Sequence, residues 1–63
     1  MYENFVKYLK DNELNELALD LENDVNASVL LPFVIDHLQD SEILRGLETG
    51  VITDMFRYYI EHK

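Results

Sequence analysis

Val29-Leu30-Leu31-Pro32-Phe33-Val34-Ile35 is the longest apolar run in the chain, and its reading decides the fold. A run of this length suits a buried strand or the middle of a buried helix. Pro32 separates the two. In a central strand a proline removes a ladder hydrogen bond, whereas near the start of a helix its missing N–H costs little. A helix capped by Asn26 or Ser28 reaches about Gln39 and places Pro32 in or near its first turn. Without the Ser28 cap the helix starts nearer Leu31. Its apolar residues wrap most of the circumference, which marks a central helix or one with a second face for a partner.

Helical spacing continues in both directions. Toward the N-terminus, Leu14, Leu17, Ala18 and Leu21 form one stripe on a helix from about Glu13 to Asn23, with Asn23, Asp24 and Asn26 as the turn that follows. Before it, Tyr2, Phe5, Val6 and Leu9 share a face, and the apolar phase shifts across Lys10 to Asn12, which favours a break over one long helix. Toward the C-terminus, Asp40-Ser41 caps a short helix with Ile43, Leu44 and Leu47, and Gly50 reads as its stop. Thr53 then reads as the cap of a last helix whose stripe is Met55, Phe56, Tyr59 and Ile60. The expectation is one all-α domain over residues 1–63, a compact bundle of four to five short helices.

Charge sets the functional classes. Thirteen acids oppose five lysines and arginines, a formal net charge of −8. From Asp11 to Leu44 there is no base, while nine acids occur. Such a chain repels phosphate backbones and anionic lipid and attracts basic protein surfaces. No apolar run approaches the ~20 residues of a membrane span. The opening Met-Tyr-Glu-Asn-Phe has no basic and apolar leader pattern, and no cysteine is present, so a cytoplasmic protein is expected.

Nothing in the sequence points to catalysis, a cofactor or a metal. There is no Gly-rich phosphate loop and no cysteine nucleophile, and Ser28, Ser41, Thr49 and Thr53 fall at expected helix ends, where capping accounts for them. His37, near Asp36 and Asp40, lacks the second close ligand pair that a metal site needs. A chain this short also leaves little room for a pocket of about 300 Å³. The expectation is a non-enzyme.

Two patches are the candidate protein-binding residues. On an ideal helix Glu13, Glu16, Asp20 and Asp24 fall within an arc of about 80° beside the apolar stripe. Like charges at this spacing cost a few tenths of a kcal/mol per pair, and no local base offsets them. They read either as a solvated face or as a surface kept negative for a cationic protein. Phe33, Asp36 and Asp40 share an arc of the third helix, an aromatic anchor with a charged rim. Tyr8 and Tyr58 likewise leave their helices' main stripes.

Residues Glu42 to Tyr59 resemble a helix-turn-helix pattern, with Gly46 at the small-residue position, Gly50 in the turn, Val51 at the next apolar site and Phe56 at the buried site of the second helix. The resemblance implies a DNA-binding regulator. Arg45 at an apolar position and Asp54 on the phosphate side depart from the pattern, and a net charge of −8 opposes phosphate binding. In size and charge the chain also resembles the stand-alone inhibitors and anti-repressors encoded by bacteria and their phages. The reading adopted is a small acidic module that binds a protein partner with a basic surface, without direct contact to nucleic acid or membrane. A structural homo-oligomer built on the apolar surplus of the third helix is the remaining class, and a homodimer is compatible with each reading.

Self-repulsion gives a first test. Raising NaCl from about 0.01 M to about 0.15 M shortens the Debye length from about 30 Å to about 8 Å, so the melting temperature followed by circular dichroism should rise. A flat response would mean that the acids do not strain the fold.

Overall fold

A computed structural model describes residues 1–63. Five helices follow one another through short turns: α1 (Glu3–Asp11), α2 (Asn15–Glu22), α3 (Ala27–Gln39), α4 (Ser41–Arg45) and α5 (Thr49–His62). There is no strand, and Val29–Ile35 is helical throughout. The radius of gyration, 10.5 Å, matches the roughly 10.6 Å expected of a compact 63-residue chain. The all-α expectation holds.

The core is built by four of the five helices. Tyr2, Phe5 and Leu9 from α1 and its start, Ala18 and Leu21 from α2, Leu30 and Val34 from α3, and Val51, Met55 and Tyr58 from α5 form one buried cluster. Helix α5 packs chiefly on α3 and α1, and α1 on α2. The five-residue α4 buries nothing fully; Asp40 Oδ1 caps it by accepting from the N–H of Glu42 and Ile43.

The start of α1 is held from across the fold. Its N-cap position, Tyr2, is left-handed (φ 60°) and offers no side-chain cap. The N–H groups of Asn4 and Phe5, the pair that an N-cap side chain normally satisfies, donate instead to Asp54 Oδ2 at 3.0 and 3.1 Å. Asp54 lies on α5, is 3% exposed, and takes Arg57 Nη2 on its other oxygen at 3.1 Å. A carboxylate here also meets the positive end of the α1 dipole. Around it, Tyr2 and Phe5 both meet the Tyr58 ring edge-on, and the Tyr2 hydroxyl donates to Glu61.

Several local expectations need correction. Gly50 does not stop α4, which ends at Arg45 with Gly46 as its C-cap; Gly50 lies in the first turn of α5. A Cβ there would come within 2.8 Å of the Asn4 side chain, so glycine leaves room for that amide. Thr53 is interior rather than a cap, its hydroxyl donating to the Thr49 carbonyl. Pro32 is the sixth residue of α3, beyond the first turn, and removes the N–H that would bond Ser28. The buried face of α5 is turned roughly 120° from the expected stripe: Val51, Asp54, Met55 and Tyr58 point inward, while Phe56 and Ile60 are 47% and 63% exposed. Asp54 causes this, because it can cap α1 only if its side of α5 faces α1.

The junctions use left-handed residues that are not glycine: Tyr2, Glu13, Asp24 and Asn26 all have φ between 54° and 62°. Asp and Asn visit this region readily, Glu and Tyr at a cost of about 1–2 kcal/mol each.

Asp54→Ala should leave two N–H groups and Arg57 without their acceptor and cost about 2–4 kcal/mol. Total stability for this length is on the order of 3–9 kcal/mol. Asp54→Asn keeps an acceptor and should cost less. Urea unfolding of the three proteins measures both, and equal midpoints would remove the cap from the account.

Candidate functional site

The acidic candidates divide by the helix they were assigned to. Only Glu16 and Asp20 lie on α2, one turn apart; Glu13 sits in the turn before it and Asp24 in the turn after it. The continuous 80° arc is therefore corrected: left-handed backbone at Glu13 and Asp24 interrupts the helical phase at both ends. Asp24 is also engaged, its Oδ1 3.1 Å from His62 Nε2 at the end of α5. Glu13, Glu16 and Asp20 have no cation within ion-pair distance. Glu13 and Glu16, with Leu14, Asn15 and Leu17 between and beside them, line an open depression of about 400 Å³.

The bases are taken by other acids. Lys7 pairs with Asp11 at 3.0 Å, Lys10 with Glu22 at 3.3 Å, Arg45 with Glu42 at 4.0 Å and Arg57 with Asp54 at 3.1 Å. Lys63 lies over the Tyr59 ring. The exposed pairs contribute little stability, but they decide where negative charge is left over. It is left at Glu13, Glu16 and Asp20 along the outer edge of α2, and at Asp36, Asp40, Glu48 and Glu61 elsewhere.

The second candidate patch is not a free aromatic surface. Phe33 is half-buried, stacked on His37 at 4.1 Å and on Phe5 of α1 at 6.2 Å. The His37 Nδ1–H donates to the Phe33 carbonyl at 2.9 Å and its Nε2 approaches the Tyr8 hydroxyl at 3.5 Å. The ring thus faces α1 and not Asp36 or Asp40. Asp40 is occupied as the cap of α4, which leaves Asp36 exposed and without an ion pair. Tyr58, expected off the core, is buried.

Family models, curated proteins and solved structures were all compared, and none matches this chain.

The helix-turn-helix resemblance fails at two of the four positions that carried it, Gly50 and Phe56, while Val51 is buried as the pattern requires. Gly50 is helical, Phe56 is exposed, and Asp54 faces α1 instead of the outside. No group of three or more His, Asp and Glu side chains is arranged to hold a metal ion, and no helix is long and apolar enough to cross a membrane. Surface depressions are larger than the length suggested, up to about 520 Å³ between α1 and α2. That one is an open trough whose lining includes the paired Lys7, Asp11, Lys10 and Glu22.

Sequence reasoning missed His62. Its ring stacks on Tyr58 at 3.9 Å, its Nδ1–H donates to the Tyr58 carbonyl at 3.0 Å, and Nε2 faces the Asp24 carboxylate. Both neighbours are acceptors, so the doubly protonated ring satisfies both. Burial lowers the His62 pKa, but the hydrogen bonds to Asp24 and Tyr58 outweigh it and the net shift is upward. The nearby Tyr2 phenol is pushed up by burial and then by Glu61.

Because the folded His62 pKa exceeds its unfolded value of about 6.5, the bridge stabilises fully below that value and its contribution is lost as pH rises through the folded pKa. Urea midpoints of the natural chain should fall between about pH 6 and pH 8 more steeply than those of His62→Gln. Parallel profiles would show that the bridge is not formed.

Proposed function

We propose that this chain is a binding module for a protein with a basic surface, engaged by the outer edge of α2. One observation carries the reading: Glu13, Glu16 and Asp20 are left without counter-charge while every lysine and arginine before Lys63 is paired elsewhere. In a chain of net charge −8 this leaves a local field rather than a neutralised surface. The half-buried Leu14 and Leu17 beside these acids can receive the aliphatic stems of a partner's lysine or arginine, with the charged heads meeting Glu13 and Glu16. Asp36 adds a further unpaired charge on α3; Phe33, Asp24 and Asp40 contribute through the fold.

The partner class that this surface suits is a nucleic-acid-binding protein whose basic face is occupied and thereby blocked. The module acts as an inhibitor or anti-repressor, with carboxylates standing where phosphates would lie. Charge steering raises the association rate and makes it salt-sensitive.

Affinity capture from the native host, followed by mass spectrometry, tests this. The natural chain should recover a basic protein that Glu13→Gln/Glu16→Gln/Asp20→Asn recovers at least about tenfold less, as expected for several charge pairs lost together. Asp24 is left intact in that variant to preserve the His62 bridge. Equal recovery by both chains would remove α2 from the mechanism.

A further inference from the structure

Helix α5 presents exposed apolar side chains in the part of the chain that carries no net charge, whereas the other exposed large apolar residues, Met1, Leu19, Val25 and Val29, belong to the acidic part. Eleven of the thirteen acids and three of the five lysines and arginines precede Thr49, so the whole net charge of −8 lies on residues 1–48 and none on residues 49–63. Within α5, the residues within about 60° of Phe56 on an ideal helix are Thr49, Ile52, Thr53, Tyr59, Ile60 and Lys63. None is acidic. Phe56 and Ile60 are the most exposed apolar residues of the helix. Ile52 is half-buried and lies outside the core cluster, as does Ile35 of α3. An apolar row of this kind, left in water, marks an interaction surface.

We propose that this face is where a second copy of the chain docks, in an antiparallel α5–α5 pair about a two-fold axis at Phe56. Electrostatics selects the occupant. A basic partner is drawn to the residues that hold the charge, whereas two copies of an acidic chain approach most easily through a segment that holds none. The symmetry is also complementary in detail. An axis at Phe56 sets Ile52 of one copy against Ile60 of the other, and brings Lys63 to the end of the second helix, beside its Glu48. Neither Lys63 nor Glu48 has an ion pair within its own chain. A single helix pair about 20 Å long falls in the small interface class, below about 1,200 Å² in total, so the dimer is a weak one. It stands independently of the α2 reading and fails separately from it. It also differs from an oligomer built on α3, whose large apolar side chains other than Val29 are buried or half-buried in the chain's own fold.

Sedimentation of the full chain from about 10 μM to about 1 mM, the range in which a weak interface is half-populated, should show the average mass climbing from one chain toward two. Phe56→Asp and Ile60→Asp, both at exposed positions and checked for unchanged helicity by circular dichroism, should weaken the dimer at least about tenfold. Lys63→Glu should weaken it about three- to tenfold, and Glu48→Lys/Lys63→Glu should restore it, because the exchanged pair then re-forms across the axis. A mass that stays at one chain throughout, a larger assembly, a dimer indifferent to both Phe56→Asp and Ile60→Asp, or a charge exchange that restores nothing would each overturn the proposal.

Discussion

The Asp54 carboxylate sets the arrangement of this fold. Helix α1 has no cap of its own, because the residue before it is a left-handed tyrosine, so its second and third N–H groups need an acceptor from elsewhere. Asp54 supplies one from α5 while remaining neutralised by Arg57. A buried carboxylate is costly unless it is hydrogen-bonded and paired, and here both conditions are met; no buried side-chain nitrogen or oxygen lacks a partner. Satisfying that one group fixes the rotation of α5. With the Asp54 side turned inward, Tyr58 and Met55 enter the core, and Phe56 and Ile60 are carried to the surface.

Charge is distributed by the same logic. The bases are few, and each one before Lys63 is committed to a carboxylate close to it in the fold. None of those commitments reaches Glu13, Glu16 or Asp20, so the edge of α2 keeps its charge. Asp24, which belonged to the same set in the sequence, is withdrawn from it by His62. The molecule thus has an acidic edge and a neutral apolar face on different helices. The two proposed modes of association draw on different forces, one electrostatic and salt-sensitive, the other apolar.

How much of this could be read beforehand depended on whether a feature was periodic. The stripes of α1 and α2 were legible, since Phe5, Leu9, Ala18 and Leu21 are buried where the 3.6-residue period puts them. The long apolar run was legible as a helix through Pro32. The rotation of α5 was not. Its apolar residues outnumber those that can be buried, and the choice among them is made by a polar residue whose partner lies 50 positions away. Gly50 looked like a stop because glycine commonly ends helices, whereas here it makes room for Asn4. The acidic arc was half legible: the residues and their excess charge were visible, but backbone of the opposite hand at Glu13 and Asp24 broke the helical wheel that joined them. Phe33 was misplaced because a wheel shows one helix, and its ring is covered by another.

The left-handed turns bear on how such a chain can drift over generations. Glutamate and aspartate codons each stand one nucleotide from a glycine codon, and glycine is the residue that a positive φ favours at Glu13 and Asp24. A single-base change at Glu13 would relieve backbone strain and erase one unit of the acidic edge together. At that position an easier turn and a more negative surface are therefore alternatives, one codon change apart.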